Sequence, residues 1–208
     1  FPEELERFLD EIFDKCPLRI SVKTRIGAEN VEEWERLLEL FGRYPMEELI
    51  IHPRLLQEGY GGRVHPEAFE AAAGRMKVPL CYNGDLISLE TVGPDGGEAE
   101  YGTMGWLTSR LPEADAVMVG RGILRRPGFL TGDFSLVTLR AFHDELLEGY
   151  IRIMSGDTNT LFKMKDLWTF MGESFDNGEK HLKKIKKSKS LWEYRIAVDT
   201  VFREQEQG

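Results

Sequence analysis

Four short apolar runs, separated by helix-length connectors and each closed by polar or glycine residues, constrain the fold of this chain more than any other feature. They occupy residues 19–26, stopped by Gly27; 48–52; 78–83, closed by Gly84 and Asp85; and 115–120, followed by Arg121 and Gly122. Runs of this length with β-branched residues read as buried strands. Between them Val31, Trp34, Leu37, Leu38 and Phe41 recur at helical spacing, and a second helix is expected from Pro66 to Met76. Alternation of strand and helix argues for parallel βα units. Ahead of the first strand, Leu5, Phe8, Leu9, Ile12 and Phe13 predict a helix from Pro2 to Lys15, ended by Pro17. Asn30 and Glu33 have the spacing of a reciprocal helix cap.

From about Leu136 the strands stop. Phe142, Leu146, Leu147 and Tyr150 line one helix, residues 161–168 a second, and residues 179–187 and 190–204 a third and fourth. The expectation is an α/β region over residues 1–134 and a small all-helical domain over 135–208.

Charge follows this division. Net charge is −9, yet residues 1–150 carry 16 basic against 27 acidic side chains, a balance of −11, while 151–208 carry 11 against 9, a balance of +2. Residues 180–189 hold six lysines and no acid. Alone, such a run is a solvated helix face; beside an acidic body it is also the one place that would attract a polyanion. Two cysteines, Cys16 and Cys81, lack metal-ligand spacing, which suits a reduced, cytoplasmic protein. No apolar run is long enough for a membrane span, and the first residues do not read as a signal peptide.

The strand ends carry the chemistry. In α/β barrels the carboxyl ends of the strands and the loops after them form the site. Val119-Gly120-Arg121-Gly122 offers unshielded backbone amides and a guanidinium, which suit phosphate oxygens, and Asn83-Gly84-Asp85 lies one unit earlier. On strand alternation Ser21, Lys23 and Arg25 share one face. A lysine there places an ammonium where a reduced flavin ring gathers negative charge; a snorkelling surface lysine is the plainer reading. His52, directly after Leu49-Ile50-Ile51, reads as a core histidine or a ligand contact.

Val22-Lys23-Thr24-Arg25-Ile26-Gly27, His52-Pro53-Arg54 with Tyr60-Gly61-Gly62, Asn83-Gly84-Asp85 and Val117-Met118-Val119-Gly120-Arg121-Gly122 occur together and in order. Phe142-His143-Asp144, Met154-Ser155-Gly156, Leu161-Phe162-Lys163-Met164-Lys165, Leu167-Trp168 and Lys183-Lys184-Ile185-Lys186-Lys187 follow. In this ordered set, which covers nearly all of the chain, the sequence resembles the tRNA-dihydrouridine synthases.

The resemblance implies an α/β fold in which residues 1–134 are strands 5–8 of a (β/α)8 TIM barrel that binds FMN, and residues 135–208 a helical tRNA-binding domain. It implies reduction of uridine in tRNA to 5,6-dihydrouridine, with NADPH reducing the flavin. Lys23 and His52 match flavin contacts, and Asn83, Gly84, Asp85, Gly120 and Arg121 match the phosphate-holding segments. Arg54, Lys163, Lys165, Lys183, Lys184, Lys186 and Lys187 match the tRNA side. Leu55 stands where the family commonly has threonine. The family's catalytic cysteine belongs to the first half of the barrel, and neither Cys16 nor Cys81 matches it. The chain is therefore read as an N-terminally truncated piece that by itself is poorly stable or self-pairing and does not turn over. Another FMN barrel, of the dihydroorotate dehydrogenase kind, and a non-catalytic phosphate- or RNA-binding module are the alternative readings.

Overall fold

The computed structural model describes residues 2–59, 61–88, 98–133 and 135–206. The loop expected over Pro94-Asp95-Gly96-Gly97, most of the connection 91–112 before its helix, and Tyr60 lie outside the described residues. By compactness the chain divides into two units, Phe1–Leu86 with Glu90–Val119, and Ile87–Leu89 with Gly120–Gly208.

The first unit is built on four parallel strands in the order β1-β2-β3-β4: β1 Ser21–Gly27, β2 Glu48–Leu55, β3 Leu80–Tyr82 and β4 Ala116–Val117. Sequence order equals spatial order, as successive βα units produce. The register aligns Lys23 with Ile50, Ile50 with Cys81 and Cys81 with Ala116. Two residues further along, Arg25 stands opposite His52. Beyond that pair the register shifts, bringing Gly27 opposite Leu55.

Alternation gives the sheet two unlike faces. Ile26, Leu49, Ile51, Leu80 and Tyr82 pack into one core with Trp34, Leu38 and Phe41 of α2 (Glu33–Phe41), Phe69 and Ala72 of α3 (Pro66–Ala73), and Leu107 of α4 (Met104–Arg110). Leu9 of α1 (Pro2–Lys15) joins that core. Ser21, Lys23, Arg25, Ile50, His52, Cys81 and Asn83 fall on the opposite face. The buried indole of Trp34 donates to the Ala68 carbonyl at 2.7 Å, tying α2 to α3. The expected cap of α2 forms in half. Glu33 accepts from the backbone of Ala28, Glu29 and Asn30 at 2.7–3.0 Å, whereas Asn30 contributes its backbone carbonyl to Glu33 N rather than its side chain. Three donors on one carboxylate hold it well below the usual glutamate range.

The second unit holds α5 (Arg121–Arg125), α6 (Leu136–Ile153), α7 (Asp157–Met171), α8 (Gly178–Lys187) and α9 (Leu191–Glu206). Residues 120–133, expected with the strands, belong to this unit. Arg125 pairs with Glu173 at 2.9 Å, and its carbonyl accepts from the Ser174 hydroxyl, so the segment is bonded to the turn that follows α7. Leu147, Met164, Trp168, Met171, Ile185, Val198, Val201 and Phe202 form the core.

A polar chain runs through that core. Trp168 Nε1 donates to the Tyr194 hydroxyl at 2.8 Å, and Tyr194 meets His143 Nε2 at 2.6 Å. His143 Nδ1 meets Asp144 Oδ1 at 2.8 Å, Asp144 Oδ2 accepts from Arg140 Nε at 2.7 Å, and Arg140 Nη1 reaches Asp199 at 2.7 Å. Indole is a donor only, so the tyrosine oxygen accepts from Trp168 and its own proton goes to His143 Nε2. This fixes a neutral imidazole that donates from Nδ1 to Asp144. Burial lowers the His143 pKa and favours the same form.

Tyr194→Phe removes the acceptor for one buried donor and the donor for the imidazole. It should destabilise the chain by about 1–3 kcal/mol, read as the shift in a urea melt. His143 is neutral in the fold but titrates with an ordinary pKa of about 6.5 when unfolded. Its contribution to stability is therefore present above pH 6.5 and declines as the pH falls below it. Stability should drop as the pH falls below about 6.5, and the drop should be smaller in His143→Gln, whose side chain has no proton to take up.

Candidate functional site

The site in the strand unit grows from the sheet face opposite the core on which α1 to α4 pack. β2 lies between β1 and β3, and from Leu49 to Leu55 every residue is buried. A strand so placed can carry polar side chains only where each is satisfied. His52 is 7% exposed. Burial first, then the positive charges of Arg25, Lys23 and Arg54, lower its pKa to about 4, so the imidazole is neutral at neutral pH. Lys23 keeps exposed surface. Partial desolvation and then Arg25 lower its pKa from the ordinary lysine value.

Arg54, two residues after His52, is 4% exposed. Its guanidinium grips the Asp85 carboxylate with both terminal nitrogens, at 3.0 and 2.6 Å, and its Nε donates to the Gly62 carbonyl at 2.9 Å. The pair is bidentate, the geometry in which arginine is best satisfied. Expected to face a polyanion, Arg54 is instead turned inward onto Asp85. Expected beside a phosphate, Asp85 has its charge balanced by Arg54. The sequence placed both residues at the strand ends, but 31 positions separate them and nothing in the spacing pairs them.

A second arginine works in parallel. Arg25 Nη1 donates to the carbonyls of Leu55 at 2.6 Å and Gly59 at 3.2 Å, so β1 holds the loop that follows β2. Glu58 of that loop accepts from Leu55 N at 2.7 Å and meets His65 Nε2 at 2.9 Å, while His65 N donates to the Pro53 carbonyl. Arg25 was visible in the sequence as the neighbour of Lys23 on one face, but its role was not; the Glu58–His65 pair left no sequence signal at all.

At the end of β3, Asn83 N bonds to Ile51 O at 2.9 Å, and the Asn83 side chain donates to the Met118 carbonyl at 2.7 Å, linking the ends of β2, β3 and β4. Gly84 is required here: a Cβ would fall 2.1 Å from the buried Tyr82 hydroxyl. Cys81 is buried, and desolvation pushes its thiol up to about 11, so it is no thiolate. Lys23, His52 and Asn83 thus stand on one face of one sheet. Gly120 and Arg121 belong to the other unit, where Arg121 begins α5.

In that helical unit, Lys163, Lys183, Lys184, Lys186 and Lys187 are exposed on α7 and α8. Lys184 lies 3.8 Å from Glu204. Lys165 differs: half-buried, it donates to the Ser188 carbonyl at 2.5 Å and so caps the end of α8. Among the described residues no cluster of three or more His, Cys, Asp or Glu could hold a metal, and no helix is long and apolar enough to cross a membrane.

Sequence comparison relates the chain to known proteins. A tRNA-dihydrouridine synthase B of Pasteurella multocida is 24% identical over 131 residues, covering 61% of this chain and 35% of that protein. A probable tRNA-dihydrouridine synthase 1 of a Synechocystis species is 26% identical over 116 residues, covering 50% of this chain and 32% of that protein. The chain thus matches about a third of the length of these curated relatives. The dihydrouridine synthase family profile matches residues 1–207, through the strand unit and the helical unit alike, and the chain belongs to that family.

Proposed function

We propose that this chain takes part in the flavin-dependent reduction of uridine to 5,6-dihydrouridine in tRNA, as an oxidoreductase of the tRNA-processing machinery that draws its electrons from NADPH in the cytoplasm. The observation that carries the reading is the placing of Lys23 and a neutral His52 on one face of a parallel sheet, the face opposite the helix-packed core, in a member of this family. The four strands are read as strands 5–8 of an FMN-binding TIM barrel, with residues 1–134 as its carboxyl-terminal half and 135–208 as a tRNA-binding domain. A barrel of this type closes with eight strands. The remaining strands would come from a further segment of a longer protein or from a second copy.

The residues present fit a flavin. Lys23 and Arg25 give the face a positive potential, and neutral His52 is a hydrogen-bond donor that adds no charge. In the strand unit the Asn83-Gly84-Asp85 segment offers backbone and amide groups of the kind that hold a phosphate, and in the helical unit the Gly120-Arg121 segment offers backbone amides and a guanidinium. Asp85 contributes through its backbone, because its carboxylate is held by Arg54. Bound FMN supplies hydride transfer. The chain's own part is to place Lys23 against developing negative charge and to keep His52 neutral. Arg54 acts on the tRNA side by fixing the loop after β2 through Gly62. Lys163, Lys183, Lys184, Lys186 and Lys187 meet phosphates directly, while Lys165 supports them by capping α8. Neither Cys16 nor Cys81 is assigned as the proton donor to uracil.

Titration of the chain with FMN, followed by quenching of flavin fluorescence, should show binding, and Lys23→Ala should weaken it about tenfold or more, as expected when one charge-assisted hydrogen bond is removed. Absence of flavin binding, or an unchanged affinity in Lys23→Ala, would refute the site. Arg54→Lys cannot make the two-pronged contact with Asp85 and leaves part of a buried charge unmet. It should destabilise the chain by about 2–4 kcal/mol, with Asp85→Asn similar, measured by chemical denaturation. With tRNA, FMN and NADPH supplied, the chain alone should form no dihydrouridine by mass spectrometry of digested tRNA.

A further inference from the structure

The sequence assigned no role to Trp192, and the fold leaves it in an unusual place. Trp34 and Trp168 are buried in the two cores, whereas Trp192 is 71% exposed. An indole in water is a large apolar surface without a partner, and tryptophan is seldom left so open. Its position is nevertheless well determined. Ser190 Oγ accepts from Glu193 N at 3.2 Å, and Glu193 accepts from Lys189 N at 2.7 Å, a reciprocal cap that fixes the first turn of α9 where Trp192 sits. Ile196, one turn on and also exposed, extends the same helix face.

The segment that leads to this indole is cationic. Residues 180–192 carry six lysines and no acid. Lys186 and Lys187 end α8, and Lys189 lies in the connection to α9; all three are exposed. Lys165 reaches the same connection from α7, at the Ser188 carbonyl. Glu193, the first acid beyond the run, is engaged in the cap. An apolar protein partner would cover Trp192 and Ile196 but would leave this row of ammonium groups without counter-charge. A nucleic acid strand satisfies both at once, with phosphates on the lysines and a base on the indole. The base must be unpaired, because bases stacked inside an RNA helix present no open face.

We infer that Trp192 is a stacking platform for an unpaired nucleotide of RNA, with Lys186, Lys187 and Lys189 as its phosphate contacts. This deepens the tRNA reading and rests on it. Stacking gives affinity that is tolerant of sequence, so Trp192 adds grip on a loop or end of the tRNA rather than choice of uridine.

Binding of the full chain to a tRNA transcript, to a short unstructured oligouridylate and to a duplex RNA of equal length, each at several salt concentrations, tests this. Trp192→Ala should weaken oligouridylate binding about 5- to 150-fold, while Trp192→Phe keeps most of it. The slope of log affinity against log salt should stay the same in Trp192→Ala, because stacking displaces no counterions. It should fall by about 0.7 for each phosphate left without its lysine in the Lys186→Gln, Lys187→Gln double variant. Duplex binding should be nearly indifferent to position 192. The inference is overturned if Trp192→Ala binds oligouridylate as the wild type does, if Trp192→Phe is as weak as Trp192→Ala, or if Trp192→Ala alters only sedimentation, which would mark an interface between copies. If wild type binds tRNA and Trp192→Ala does so equally, the stacking role falls and the functional reading stands. If wild type binds FMN but no RNA, both fall.

Discussion

A guanidinium with almost no exposed surface at the end of a central strand has to be met by a carboxylate and a carbonyl, or the strand cannot be there. Arg54 is met by Asp85 through two nitrogens and by Gly62 through the third. The three residues come from the end of β2, the loop after it and the segment after β3, so satisfying one charge sets the relative positions of all three. Arg25 does the same from β1, through the carbonyls of Leu55 and Gly59. The polar rim of the strand unit is thereby held by two arginines.

The electrostatics of the open sheet face follow from that arrangement. With Arg25, Lys23 and Arg54 near it and little water, His52 stays neutral rather than becoming a cation. Asp85 lends its charge to Arg54 and not to the sheet face, so the positive character contributed by Lys23 and Arg25 persists in a protein whose net charge is −9. The helical unit solves a different problem by similar means. Its core buries His143, Tyr194 and Trp168 in a chain of hydrogen bonds that ends on the Asp144–Arg140–Asp199 group. This leaves the lysines of α8 free of any structural role in that core.

Legibility in the sequence varied with the range of the interaction. The four strands, helices α1 to α3 and α6 to α9, and the carboxylate half of the α2 cap were readable, since each rests on periodicity or on residues three or four apart. The side-chain half of that cap was not realised, because a backbone turn at Asn30 provided the helix start first. Lys23, His52 and Asn83 were readable as a group because strand alternation and equal positions at strand ends put them on one face. Arg54 and Asp85 were each noticed without the other, Lys165 looked like its exposed neighbour Lys163, and residues 120–133 looked like a continuation of the strand region. All three depended on partners tens of residues away: Asp85 for Arg54, Ser188 for Lys165, Glu173 and Ser174 for Arg125.

The sequence by itself determined the α/β-then-helical order, the parallel sheet, the family and the polar character of each strand end, because these are written in spacing and residue type along the chain. Only the tertiary structure decided which charges are spent inside the fold and which remain available to a ligand. That division follows from burial. A charged side chain withdrawn from water must find its counterpart wherever the fold brings one, as Arg54 does in Asp85, whereas Lys186, Lys187 and Trp192 face solvent.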